Sequence, residues 1–136
     1  MSETVQIKTP WLASKDPEVP STLNYSTLSM CGRVEEMVRQ YPNYIAYEFM
    51  GKTTTYAEMW QKINACAKSL KAIGIREGDK VTICMPNAPQ TLCMFYAVNM
   101  VGAIANMVHP LSAESEISFY LRDSNSVAAI TLDQFY

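Results

Sequence analysis

Four cysteines and one histidine are the side chains of this 136-residue sequence best suited to nucleophilic, acid–base or metal chemistry. Cys31, Cys66, Cys84 and Cys93 lie 35, 18 and 9 positions apart, which fits neither a C-x-x-C metal knuckle nor a dense disulfide framework. Reduced thiols follow, and no metal set is expected. Cys84 and Cys93 sit in apolar runs, where cysteine behaves as a small buried hydrophobe. His109 is the only histidine, so a Cys/His nucleophile pair would depend on the fold alone to assemble it. A histidine placed before a proline at a strand end reads first as a packed or hydrogen-bonded loop residue.

The remaining candidates are backbone-shaping residues. Gly32, Gly51, Gly74, Gly78 and Gly102 do not form a G-x-G-x-x-G or P-loop pattern and read as helix stops and turns. Asp79 follows Gly78 in a turn, where aspartate commonly binds its own backbone. Eleven basic and 13 acidic residues, net charge -2, are scattered singly. No stripe can track a nucleic acid or an anionic membrane. The amino terminus lacks the apolar stretch of a secretory signal, and the cytoplasm is the expected compartment.

The elements that must position these residues follow from periodicity. Residues 1–28, with Pro10, Pro17 and Pro20, read as an extended arm anchored by Trp11, Leu12 and Tyr25. Residues 29–136 read as one α/β unit. Met30, Val34, Met37 and Val38 give an amphipathic helix that stops at Tyr41-Pro42. Residues 44–49 alternate, Met50-Gly51 turns the chain, and residues 52–55 complete a hairpin. Thr55 and Glu58 form a capping box for a helix with Met59, Trp60, Ile63, Cys66, Ala67, Leu70 and Ile73 on one apolar face, ended by Gly74.

A strand over 80–85 follows. Pro86-Asn87-Ala88-Pro89 opens a helix running to Gly102 that is apolar nearly all round, interrupted by Asn99. It is too short to span a bilayer and is expected between layers. A strand over 104–108, a helix begun by Ser112 with Glu114 and Glu116, and a strand over 127–132 complete a β-α-β-α-β parallel sheet. With Tyr136 four residues past Leu132, this sheet is expected to be incomplete at its C-terminal end, leaving an edge that favours self-association. Ligands of such sheets bind beyond the strands' carboxyl ends, so Pro86-Asn87, His109-Pro110 and Asp133-Gln134 are the positions to inspect. They carry neither an acidic magnesium cluster nor a hydroxyl-rich phosphate loop.

In order and spacing, Thr54-Thr55-Tyr56-Ala57-Glu58-Met59, Gly74-Ile75-Arg76-Glu77-Gly78-Asp79-Lys80-Val81, Met85-Pro86-Asn87-Ala88-Pro89 and Val101-Gly102-Ala103-Ile104 resemble the start of an adenylate-forming (AMP-binding) enzyme. The resemblance covers residues 29–132. The run from Ala105 to Ser112 and the lead-in Lys8-Thr9-Pro10-Trp11-Leu12 look most like acyl-CoA synthetases for medium- or long-chain fatty acids. The Tyr-Val-Pro run usual in amino-acid-activating members is absent. The resemblance implies a parent enzyme using ATP, magnesium and CoA, in which a carboxylate becomes an acyl-adenylate and then a thioester. The lysine-ended phosphate loop and the acidic residues of that chemistry do not occur in residues 1–136, so no catalytic residue is carried over. The chain is expected to be a scaffold, inactive without the remainder of its own chain. The family's CoA-side loop corresponds to residues 108–112, which makes His109 the one candidate cofactor-binding residue, although its glycine-rich counterpart in acetyl-CoA synthetases differs. The alternatives are a short stand-alone α/β binding module and an amino- or aryl-acid-activating member.

Overall fold

The computed structural model describes residues 9–135. Lys8 of the lead-in motif lies outside them. Pro10–Ser14 form a short 3-10 helix, with proline in the first turn where no donor is lost. The expected anchoring of this stretch is not found: Trp11, Leu12 and Tyr25 are exposed, Tyr25 to 83%. Without helical or strand periodicity, the three residues share no face that could dock.

Helix α1 (Met30–Gln40) begins at Ser29, whose side chain accepts the Gly32 N–H. A second free donor of that first turn, the Cys31 N–H, bonds the Asn99 side chain at 2.9 Å. This is why an asparagine interrupts an otherwise apolar helix. Strands β1 (Ile45–Phe49) and β2 (Lys52–Thr55) pair antiparallel around Met50 and Gly51, both left-handed, at φ 50° and 77°. Two positive φ values in a two-residue loop match the twist of the flanking strands. The simple alternation expected for β1 breaks at one point. Ile45 pairs with Thr55 and Tyr47 with Thr54, leaving Ala46 as a bulge, so Ala46 and Tyr47 both pack against the core.

Helix α2 (Tyr56–Ala72) opens with the reciprocal Thr55/Glu58 capping box. Met59, Ile63, Ala67 and Leu70 form its buried stripe, with Trp60 and Cys66 flanking it. Ile73, expected on that stripe, is 70% exposed. The helix ends one residue earlier: Gly74 turns left-handed at φ 94°, its N–H bonds the Lys71 carbonyl, and the Ile75 N–H bonds that of Leu70. Ile75 then packs with Leu70 in the core, the apolar contact that accompanies this C-cap.

Strand β3 (Lys80–Cys84), helix α3 (Pro89–Met100), strand β4 (Ile104–Met107), helix α4 (Glu114–Asp123) and strand β5 (Ala128–Thr131) complete the fold. The three strands are parallel in the order β4-β3-β5. Helices α3 and α4 end as α2 does, with Gly102 and Asn125 in the left-handed region and the same pair of hydrogen bonds. Helix α4 is capped differently from expectation. Ala113, not Ser112, precedes it, and alanine offers no acceptor, so only the Glu116 carboxylate returning to the Ala113 N–H is made.

The β3 residues Val81 and Ile83 are fully buried, in one cluster with Ile63, Leu70, Ala97 and Val98. Alternation sends Thr82 and Cys84 to the other face, where they line a cavity of about 380 Å³ with Ile117, Ser118 and Leu121 of α4. Helices α2 and α3 therefore cover one face and α4 the other. Burial of side chains such as Ile63 and Ile83 contributes roughly 2–3 kcal/mol each. The face toward α4 holds instead a hydrogen-bonded chain: Asn106 donates to Thr82 Oγ1 at 2.9 Å, which meets Ser126 Oγ at 2.7 Å, which meets Ser124 Oγ at 2.8 Å.

Candidate functional site

The polypeptide leaves β3 over one face of the sheet and leaves neighbouring β4 over the other. Loops that part in this way open a crevice between the carboxyl ends of two adjacent strands, the usual ligand position in a parallel sheet. A cavity of about 410 Å³ lies there, between Met85-Pro86-Asn87 after β3 and the run from Met107 to Leu111 around the end of β4. Two of the three places singled out by sequence, Pro86-Asn87 and His109-Pro110, are thus brought together. Asp133-Gln134, in the 3-10 turn Asp133–Phe135, does not line this cavity.

His109 is exposed at the rim. Its Nδ1 accepts the Leu111 N–H at 3.2 Å, which leaves Nε2 as the atom available to a ligand, carrying the proton in the neutral ring. The loop is further closed by the Ser112 N–H on the His109 carbonyl. Among the described residues no thiol is hydrogen-bonded to this imidazole. Cys84 lies with its Sγ 4.0 Å from the His109 backbone carbonyl, buried, and burial pushes its thiol up from the ordinary value. On the other loop the Thr91 hydroxyl donates to the Pro86 carbonyl at 2.6 Å, fixing the turn into α3. Asn87 is exposed, and Ala88 caps the helix without a side-chain acceptor.

Asn87 and Met107 also border a second cavity of about 440 Å³ between the hairpin and α3, lined by Tyr47, Phe49, Pro89, Phe95 and Tyr96 among others. Sequence reasoning missed this groove. Its signal was the placement of Phe95 and Tyr96 on a helix that had no polar side to turn outward. Missed as well was the Asn106–Thr82–Ser126 chain, legible only once the register aligns Thr82 with Asn106 and Ala129.

The site's chemistry is sparse. One imidazole nitrogen and one carboxamide can donate or accept hydrogen bonds, and backbone shapes the rest. Among the described residues no group of three or more His, Cys, Asp or Glu could hold a metal ion, so these side chains do not fit a magnesium site. No helix among them is long and apolar enough to cross a membrane.

The family model for AMP-binding enzymes matches residues 34–135. This chain belongs to the AMP-binding enzyme family. The long-chain-fatty-acid–CoA ligase of Bacillus subtilis is 30% identical over 132 residues, covering 97% of this chain and 24% of its own length. The long-chain-fatty-acid–CoA ligase FadD13 of Mycobacterium tuberculosis is 42% identical over 76 residues, covering 56% and 15%. Among solved structures, the N-terminal domain of FACL13 from the same bacterium superposes with a TM-score of 0.69 at 35% identity, covering 72% of this chain and 25% of that one. The chain therefore spans a quarter or less of the length of these three proteins. Its mixed α/β architecture, a hairpin beside a three-stranded parallel sheet, is shared with that N-terminal domain.

Proposed function

We propose that this chain is the scaffold portion of an ATP-dependent acyl-CoA synthetase, residues 1–28 serving as a lead-in and 29–136 as the opening part of the adenylate-forming domain. The parent enzyme joins a fatty acid to ATP, releases pyrophosphate, and passes the acyl group from the adenylate to the CoA thiol, in the cytoplasm. The observation that carries this reading is the 30% identity to a long-chain-fatty-acid–CoA ligase across 97% of the chain. The sparse switch-point crevice supports the division of labour. It holds no lysine for a departing pyrophosphate and no carboxylates for magnesium, and that chemistry needs both. The chain's residues shape and orient one wall of the site, and groups elsewhere in the parent act on the phosphates.

Two measurements test this. The isolated chain should show no carboxylate-dependent exchange of pyrophosphate into ATP, whereas the full-length protein should, with thioester formation across a panel of fatty acids. Robust exchange by the isolated chain would overturn the assignment of chemistry to the remainder.

Within the same reading, His109 presents Nε2 to the CoA side of the site. The support is its exposed position at the crevice rim with Nδ1 already bonded. In the full-length enzyme, His109→Ala should raise the KM for CoA several-fold and leave the ATP and carboxylate half-reaction intact. Unchanged CoA saturation would remove this residue from the site.

A further inference from the structure

Outside the crevice, one cavity gathers reactive side chains that the proposed chemistry does not use. It has a volume of about 310 Å³, lies along the seam of α2 and α3, and is lined by Cys66 and Cys93 together with Lys62, Tyr47 and Met94. We propose that Cys66 and Cys93 form a peroxide-sensitive dithiol that closes to a disulfide linking α2 to α3.

Three observations carry the assignment. Both cysteines are free and line one cavity, whereas Cys31 and Cys84 do not. The helices that bear them make the most extensive helix–helix contact of the fold, and small buried residues, Ala67 and Ala97, lie along their inner faces. Packed helix axes stand about 8–10 Å apart with Cα atoms on cylinders of radius about 2.3 Å, so directly facing Cα atoms come within about 3.5–5.5 Å. A disulfide spans about 4.4–6.8 Å between Cα atoms. Third, Cys66 is partly exposed while Cys93 is 4% exposed, which supplies a thiol that meets solvent and a second one behind it to resolve the product.

The electrostatics keep both groups mostly as thiols, which makes the chemistry slow. Burial pushes both thiols up, and a charge on Cys66 pushes Cys93 further, so the two are not ionised together. The Lys62 ammonium acts in the opposite sense on Cys93 and is itself held by the Tyr47 hydroxyl at 3.2 Å. Hydrogen peroxide is the oxidant. The Cys66 thiolate attacks one peroxide oxygen, the O–O bond breaks, and the departing hydroxide takes up a proton, leaving a sulfenic acid. The Cys93 thiolate then attacks that sulfur and expels a second hydroxide, which leaves as water. Two thiols are oxidised, one peroxide is reduced to two waters, and one S–S bond forms.

The test is peptide mapping of the full-length protein after a stoichiometric dose of hydrogen peroxide, with digestion under non-reducing conditions. A Cys66–Cys93 linked peptide pair, lost on treatment with a dithiol reductant, is the expected result. Separate sulfinic acids at the two positions, untouched thiols, or linkage to Cys31 or Cys84 would overturn it. Phenylarsine oxide, which condenses with two neighbouring thiols, provides a readout without oxidant. It should load one arsenic bridging the 66 and 93 peptides and fail to do so in Cys66→Ser. Equal loading of wild type and variant would equally defeat the proposal.

Discussion

Two backbone positions show how a single residue type decides a turn. Gly102 sits at φ 79°, and a Cβ there would come within 3.0 Å of the Glu77 side chain, whereas Gly74, at φ 94°, has open space around the same position. Alanine at 74 meets only the cost of a left-handed conformation, about 1 kcal/mol; at 102 it must also displace Glu77. Gly102→Ala should therefore lower the denaturation free energy by more than Gly74→Ala, measured by urea unfolding of the two variants side by side. Met50 offers the reverse case. It holds φ 50° with a side chain 90% exposed, so it bears the conformational cost and returns no burial. Met50→Asn should stabilise the chain by roughly 0.5–1 kcal/mol, since asparagine tolerates this region.

At this scale the sequence was informative where a residue acts on its own neighbours. Asp79 does bind its own turn, its carboxylate accepting the Arg76 N–H at 2.7 Å. It was silent where a residue acts across the fold. Neither the bond from Cys31 to Asn99 nor the approach of Cys66 to Cys93 can be read from positions 68 and 27 residues apart, because only helix packing makes them neighbours.

At the scale of elements, the four α-helices and five strands were legible from periodicity and caps, with errors at their edges, whereas the short 3-10 turns Pro10–Ser14, within a stretch read as extended, and Asp133–Phe135 were not. The stripe of α2 was extended to Ile73 because periodicity does not announce the reversal at Gly74, after which Ile75 takes the inward place. The Thr55/Glu58 capping box was read from three residues' spacing and is present as a reciprocal pair. It makes a pH-dependent prediction. The Thr55 backbone N–H, then the Thr55 hydroxyl, hold the Glu58 carboxyl below its ordinary value. A carboxyl lower in the folded than in the unfolded chain stabilises fully above the unfolded value, near about 4.3, and that contribution disappears as pH falls through the folded value. The stability gap between wild type and Glu58→Gln should be present at neutral pH and narrow below about pH 4. A gap that widened in acid would contradict the cap. Removing its other half, Thr55→Ala, should cost about 1 kcal/mol at neutral pH.

For the whole molecule, the parallel sheet and its order about β3 explain why the inspected loops fall into one crevice and one does not. The strand sequence alone could not choose between orders, so the meeting of Pro86-Asn87 with His109-Pro110 became visible only with β4 and β5 placed on opposite sides of β3. The apolar surface is large. Ile104, Met107, Leu111, Phe119 and Val127 are each at least 50% exposed, and α4 has no fully buried residue. The isolated chain should therefore self-associate, with a sedimentation coefficient that rises with concentration; a concentration-independent monomer would contradict this.

The three matching helix ends have a further consequence for how such a framework accommodates change. Each strand of the parallel sheet is preceded by the same left-handed reversal, and the rim is tied sideways by the Gly78 N–H on Gly102 and the Ile104 N–H on Asp79. One side of the sheet is thus a clamped margin, where an added residue would tear several bonds at once. The opposite margin carries loops held by a few local bonds around His109 and Pro86. Inserted segments and altered side chains should disturb the strands less there than on the clamped margin, the border on which ligand specificity can change while the architecture stays constant.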